Sequence, residues 1–378
     1  MRAFSVFLGA ALALAGPIAV APTPNASAAG TGTVLSRSAV PAVNLPSGAV
    51  RAVKVLYTTR DQNGRPARST GVVYYPRGAA PAGGWKVVSW AHGTSGITAK
   101  CAPSITSGKR QDEMQPNIAG ALARGYVVTA TDYIGLGGGG VAEYLGGRSA
   151  AYNVIDMIRA ARNVDPTIGK RWVSLGHSQG GHAALWAART APRYAPELPM
   201  LGTVALAPAS QIPEITPVFQ YPGTPSLGTF NMMSGFGLYL MSGLNSARPD
   251  LNALSYLSPV GRQWLAIARD TCVFELAVKM RNVAPGSLWA KATSSSPQFM
   301  AALRDYAGIP NTGFGTRGVR LQQGMSDTIV LPISTMQLEG QLRSGGANVS
   351  LRFYPGDHMA VTRASMGDTM ATVAGYFG

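Results

Sequence analysis

Leu175-Gly176-His177-Ser178-Gln179-Gly180-Gly181-His182 is the stretch that decides the fold. It contains Gly-x-Ser-x-Gly, is entered from Trp172-Val173-Ser174, and runs on into Ala183-Ala184-Leu185-Trp186-Ala187-Ala188. A short apolar run, a serine between glycines and an Ala-rich helical run spell strand–turn–helix. In that context the motif marks a nucleophile elbow. Such a turn strains the serine backbone and pushes its hydroxyl out at the helix N-terminus. Gly176 and Gly180 are expected there because strand and helix approach too closely for a Cβ. The backbone N–H of Gln179 is expected to point at whatever Ser178 attacks. In a chain with 46 glycines the motif alone would mean little; the flanking strand and helix give it meaning.

Working outward, residues 52–59 and 70–76 read as strands, with Asn63-Gly64 as a hairpin signal between them. Residues 85–91 form a short apolar strand that runs into His92-Gly93-Thr94-Ser95-Gly96. A helix over 117–124 closes at Gly125, a β-branched strand spans 126–131, and helical spacing returns over 150–164 before the strand that enters the elbow. Residues 201–206 read as another strand. Strands alternating with helices at this pitch predict an α/β fold with a mostly parallel, doubly wound sheet. From 208 to 318 the alternation stops, and prolines and glycines punctuate short helical pieces over 231–244 and 263–279. This predicts an inserted helical cap, or lid, carried over the C-terminal edge of the sheet. The pattern then resumes with strand 319–322, helix 334–343, strand 349–354 and a last helix over 361–376. The expected organisation is a leader over 1–28, a first core part over 29–207 with an extended lead-in to residue 50, the cap over 208–318, and a second core part over 319–378.

The 378 residues are 46% hydrophobic and 13% charged, enough to bury a sizeable core. The formal charge of +15 is spread along the chain, and no nucleic-acid motif accompanies it. It therefore reads as solubility with a bias toward anionic surfaces rather than nucleic-acid binding. Met1-Arg2, the apolar run from Val6 and the Ala26-Ser27-Ala28 cleavage pattern predict a secretory signal peptide removed near Ala28. No later stretch reaches membrane-spanning length. A secreted chain with two cysteines predicts a Cys101–Cys272 disulfide. Gly137-Gly138-Gly139-Gly140 lacks a following Gly-Lys-Ser/Thr and reads as a pliable loop beside the site, not a phosphate loop.

A serine hydroxyl is a poor nucleophile until a base takes its proton. The chain has four histidines: His92, His177, His182 and His358. Hydrolases of this layout run Ser…Asp/Glu…His, and only His358 follows Ser178 with a strand and a helix between. His177 should point away from the Ser178 hydroxyl, His182 should pack under the sheet, and His92 should shape the loop that carries an oxyanion donor. The acid should follow the preceding strand, which selects Asp327 in Gly324-Met325-Ser326-Asp327. Asp357 competes, but its adjacency to His358 makes a facing geometry hard. The oxyanion needs two preset donors. Gln179 N–H is one and Thr94 N–H the candidate for the other, with Gly93 and Ser95 as alternatives.

His92-Gly93-Thr94, Cys101-Ala102-Pro103-Ser104, Asp132-Tyr133-Ile134-Gly135-Leu136-Gly137, the elbow around Ser178, Asp327 and Gly356-Asp357-His358 occur in an order that resembles the secretory lipase family, which includes the fungal lipase A type. The resemblance covers roughly residues 85–360, and the pairing of the histidine-glycine loop with Cys-Ala-Pro-Ser is its more specific part. It implies an α/β-hydrolase with a helical cap that hydrolyses acylglycerols and other esters without metal or cofactor. It also implies a lipid or other ester substrate, transient contact with lipid interfaces and a monomeric protein. Some fungal relatives carry a further cysteine pair toward the C-terminus, which this chain lacks. The apolar, Met-rich stretch around Phe236 and Leu240 is the expected acyl pocket, although methionine fills ordinary cores equally well. Other serine hydrolases of the same fold, acting on polyesters, aryl esters or peptides, and a non-catalytic surface scaffold stand as the alternatives.

Overall fold

The structure is a computed structural model that describes residues 30–105, 115–221 and 228–378, with side chains of the last segment described from 232. The leader expected over 1–28 lies outside the described residues. Strands β1 (Val34–Ala39), β2 (Arg51–Arg60), β3 (Pro66–Tyr75), β4 (Trp85–Ala91), β5 (Val127–Thr131), β6 (Ile168–His177), β7 (Met200–Leu206), β8 (Gly318–Gly324) and β9 (Asn348–Tyr354) form one sheet in the order β1-β2-β3-β5-β4-β6-β7-β8-β9. The pairings from β1 to β5 along that order are antiparallel, and those from β5 through β4 to β9 are parallel.

Both faces of the sheet are covered, and the strand residues sort between them with period two. Val87, Val127, Trp172 and Ala205 pack with helices α2 (Gly147–Val164) and α3 (Gln179–Tyr194). Their neighbours Val88, Val128, Val173 and Val204 pack on the other face with α1 (Pro116–Leu122) and α9 (Met366–Phe377). The central strands are buried on both sides, which is why they read as continuous apolar runs. This is the doubly wound α/β arrangement expected from the sequence.

Between β7 and β8 the described chain is helical. Helices α4 (Gly228–Ala247), α5 (Pro259–Ala268), α6 (Val273–Lys279) and α7 (Pro297–Ala307) surround a hydrophobic core of their own. Leu238, Tyr239 and Leu244 of α4 meet Leu265, Leu276 and Leu303 there, and Tyr144 and Leu145 from the loop before α2 join them. Helix α8 (Pro332–Ser344) then lies between β8 and β9.

Several expectations are corrected. The lead-in contains an edge strand, β1, whose Ser36, Arg37 and Ser38 are exposed. A strand paired on one side only and carrying polar residues has no hydrophobic alternation to announce it. The helix expected over 263–279 is two helices, broken where Asp270 and Thr271 precede Cys272, the N-cap position of α6. The last helix is likewise divided at Ser365, whose hydroxyl donates back to the Val361 carbonyl at 2.7 Å. Within the Gly137–Gly140 run, Gly137 and Gly138 lie against β3, where a Cβ on Gly137 would meet Thr70 Oγ1 and one on Gly138 would stand 2.5 Å from the Arg68 carbonyl oxygen, while Gly140 has open space around it.

Cys101 and Cys272 are joined as a disulfide with Cα atoms 5.4 Å apart, closing a separation of 171 residues. The bond ties the loop after β4 to the start of α6, and the Val273 N–H donates to the Ser95 carbonyl beside it at 2.9 Å. Constraining so long a loop in the unfolded chain is worth about 5 kcal/mol in the chain-entropy account. The double variant Cys101→Ser/Cys272→Ser should therefore melt about 7 °C below the oxidised protein. An unchanged melting temperature, or two free thiols in the denatured, unreduced protein, would contradict this.

Candidate active site

Ser178 joins β6 to α3 at φ 58° and ψ −120°. The glycines around it are there for clearance. A Cβ on Gly176 would lie 2.1 Å from the Gly180 carbonyl oxygen, and one on Gly180 1.8 Å from that of Ala91. Three backbone bonds clamp the turn: Ser178 N–H donates to Leu206 O at 2.9 Å, while His182 N–H and Ala209 N–H both donate to Ser178 O at 3.1 Å.

His358 and Asp327 arrive from the loops after β9 and β8. His358 Nε2 is 2.9 Å from Ser178 Oγ, and His358 Nδ1 is 2.8 Å from Asp327 Oδ2. A carboxylate beside Nδ1 fixes the tautomer: Nδ1–H donates to Asp327, and Nε2 is left to accept from the serine hydroxyl. Asp327 Oδ1 accepts from the N–H groups of Ile329 (2.8 Å) and Val330 (2.9 Å), and Oδ2 also accepts from Gln323 Nε2 at 3.0 Å. Burial pushes this carboxyl up, but the hydrogen bond and charge of His358 and the two N–H groups outweigh it and hold it below the usual range. Asp357 faces elsewhere. It is exposed, and its Oδ1 accepts from the N–H groups of Met359 and Ala360 at 3.0 and 2.9 Å, closing the turn that follows.

The other histidines are buried and structural. His177 Nε2–H donates to the His358 carbonyl at 2.7 Å, and burial together with the neighbouring His358 pushes its pKa down to about 3. It braces the His358 loop as a neutral ring. His182 does not pack under the sheet: its Nε2–H donates to Ala307 O at 3.0 Å, at the end of α7, and burial lowers its pKa to about 4. Helix α3 thus reaches the helical segment above the sheet edge. His92 Nδ1–H donates to Gly93 O at 2.6 Å, and the Tyr133 hydroxyl donates to His92 O at 3.1 Å.

Gln179 follows the serine directly, and the Gly93–Thr94 loop shares a cavity with it. Gln179 opens α3, where the first N–H groups have no intrahelical acceptor. Gly93 lies so close that a Cβ there would be 3.5 Å from Ser178 Cβ. The next N–H, of Thr94, has no partner among the described residues. Two cavities meet at Ser178. One, of about 390 Å³, is lined by Ile212, Ile215, Phe236, Leu240, Trp289 and Val330 among others. The second, of about 720 Å³, shares Ser178, Phe236 and Ile329 with it and extends past Thr94, Lys100, Gln115 and the disulfide. Helix α4 divides its residues: Phe236 and Leu240 line the first cavity, while Leu238, Tyr239 and Leu244 are fully buried in the core above the sheet.

Gln323 and Tyr144 escaped the sequence reading. Gln323 sits in Leu321-Gln322-Gln323, and two amides at buried positions of a strand are a signal that buried acceptors need them. Tyr144 had no comparable signal, since a single tyrosine in a loop does not show which hydroxyl it will meet.

The sequence model of the secretory lipase family matches residues 104–374. The chain belongs to that family. Lipase A of Moesziomyces aphidis is 29% identical over 230 residues, 55% of this chain and 45% of its own length. A protein of Mycobacterium tuberculosis named as a probable inactive lipase is 25% identical over 323 residues, 80% of this chain and 68% of its own. The chain thus spans from under half to about two-thirds of these relatives. The solved structure of Candida antarctica lipase A in its closed state aligns with a TM-score of 0.76 at 20% identity, covering 94% of this chain and 84% of that one. The shared architecture is the α/β-hydrolase fold.

The two aspartates can be separated on a soluble ester. Asp327→Asn keeps the shape but favours the wrong tautomer of His358, and should lower kcat by about 10⁴-fold. Asp357→Asn should stay within about threefold of the parent. A larger loss for Asp357→Asn than for Asp327→Asn would contradict the geometry.

Proposed function

We propose that this secretory lipase family member is a serine carboxylesterase of the lipase type, acting on esters with an apolar acyl chain. One observation carries the reading: Asp327, His358 and Ser178 are joined by hydrogen bonds of 2.8 and 2.9 Å, and the serine opens on an apolar cavity. Ser178 Oγ attacks the ester carbonyl carbon as its proton passes to His358 Nε2, and the carbonyl π pair moves onto oxygen. The N–H groups of Thr94 and Gln179 hold that oxyanion. When the pair returns, the bond to the alcohol oxygen breaks and His358 gives its proton to the leaving alcohol. Water then repeats the sequence on the acyl-enzyme and releases the acid. No metal or cofactor takes part.

Residues 208–318 serve as the cap, and the cavity of about 390 Å³ holds the acyl chain against Phe236 and Leu240. Leu331 borders that cavity, while Phe274 and Met359 border the larger one; all three are exposed. An apolar rim around both openings supports transient contact with a lipid surface. Export through a removable leader over 1–28 is supported by the family and by the disulfide. The name of the mycobacterial relative favours one competing reading, a chain that keeps the fold without the activity. Ser178→Ala decides between them: it should abolish turnover and leave folding nearly intact.

Each buried methylene adds about 0.8 kcal/mol, roughly fourfold in kcat/KM, until the pocket is full. Activity on p-nitrophenyl esters should therefore climb with acyl length. Phe236→Ala and Leu240→Ala should alter that climb more than the rate on the acetate. A profile unchanged in both variants would remove the acyl pocket from this cavity.

A further inference from the structure

A pair of hydroxyls stands where the two cavities meet. Thr94, in the loop after β4, lines the larger one; Tyr144, in the loop before α2, lines the smaller; and Ser178 belongs to both. Thr94 Oγ1 and the Tyr144 hydroxyl oxygen are 2.8 Å apart.

Counting protons gives the bond a direction. Tyr144 is buried, and its hydroxyl has no other hydrogen-bond partner among the described residues. Burial pushes its pKa upward, so it remains a phenol with one proton to donate. A buried donor left without an acceptor is costly. Its acceptor is therefore Thr94 Oγ1. The ring cannot swing away, because it packs against Phe236 and Tyr239 at centroid distances of 6.2 and 5.7 Å. Thr94 Oγ1 then spends a lone pair on Tyr144, and its own proton has no acceptor among the described residues. That proton faces away from Tyr144, on a residue that borders the nucleophile's cavity and follows Gly93, which packs on Ser178 Cβ.

We propose that the Thr94 hydroxyl is a third donor to the oxyanion, beside the N–H groups of Thr94 and Gln179, and that Tyr144 holds it in the donating direction. This rests on the serine-esterase reading above. No proton leaves Thr94. As Ser178 Oγ bonds to the carbonyl carbon and the π pair moves onto oxygen, the hydroxyl shortens its hydrogen bond to the charge that develops there. A donor that strengthens only in the transition state acts on kcat rather than KM. Thr94 is on this account a catalytic residue, and Tyr144, which acts through it, a positioning residue.

The test compares Thr94→Val, Thr94→Ser, Tyr144→Phe and the double variant Thr94→Val/Tyr144→Phe in the full chain. The readouts are kcat and KM on p-nitrophenyl butyrate, inhibition by an alkylboronic acid that mimics the tetrahedral state, and melting temperature. Thr94→Val should lower kcat about 10²-fold, leave KM within about twofold, and weaken the boronate by the same factor as kcat/KM. Thr94→Ser should recover activity to within about fivefold of the parent. Tyr144→Phe should cost about three- to tenfold in the parent and less than about twofold in the Thr94→Val background, because it acts through the same group. The proposal is overturned if Thr94→Val stays within threefold of the parent, if Thr94→Ser loses as much as Thr94→Val, or if Tyr144→Phe costs the same in both backgrounds. Should Thr94→Val fail to fold, Tyr144→Phe alone decides, and full activity there overturns the proposal. A parent chain without esterase activity would instead overturn the serine-esterase reading, and this proposal with it.

Discussion

Ser178 holds φ 58° and ψ −120° where β6 becomes α3, a backbone state that costs a non-glycine residue of the order of 1–3 kcal/mol. It survives because the surroundings leave no alternative. The Ser178 carbonyl accepts from His182 and Ala209, its N–H is taken by Leu206 from β7, and the absent side chains of Gly176 and Gly180 let strand and helix close on each other. Relaxing the turn would break those bonds and part α3 from a sheet with which it shares Leu185, Ala187 and Trp172 in one buried core. The strained residue is thus held by the packing of the whole domain. The side chain that strain projects is the one within reach of His358.

The same logic governs the charges. Asp327 is buried, which alone would favour its neutral acid, yet the Ile329 and Val330 N–H groups, the Gln323 amide and His358 all favour the carboxylate. A preset anion under Nδ1 keeps the ring in one tautomer and one plane, with Nε2 free to accept. His177 sits 4.6 Å from His358 between ring centroids but is kept neutral by burial, so it braces the loop without adding a competing base. The helical segment has its own core and reaches the sheet domain through the disulfide, the His182–Ala307 bond and the Asn63–Ala247 bond.

The elements that proved legible in the sequence are those whose pattern comes from burial. Trp85 to Ala91 and Met200 to Leu206 are apolar because both faces of these central strands are covered. Ser178 is legible because a sharp strand-to-helix turn forces glycines at fixed offsets, and His358 and Asp327 because topology sends the loops after the last strands to the same edge. β1 is not legible, since an edge strand needs no apolar alternation, and neither is the break at Cys272, whose disulfide partner lies 171 residues away, nor the one at Ser365, where a local hydroxyl bond back to Val361 leaves no mark on the apolar spacing. Tyr144 is illegible for a stronger reason: its relation to Thr94 exists only after two loops 50 residues apart meet over the serine.

Family membership does not by itself carry activity, as the naming of the mycobacterial relative illustrates. The central claim is that the Ser178 hydroxyl becomes acylated during turnover. Quenching the protein in acid during hydrolysis of a slowly deacylating p-nitrophenyl ester, followed by peptide mass spectrometry, tests it directly. The account predicts one acyl group, added with loss of p-nitrophenol, on the peptide that contains Ser178. Steady turnover with no adduct there, or with the acyl group on another residue, would contradict it.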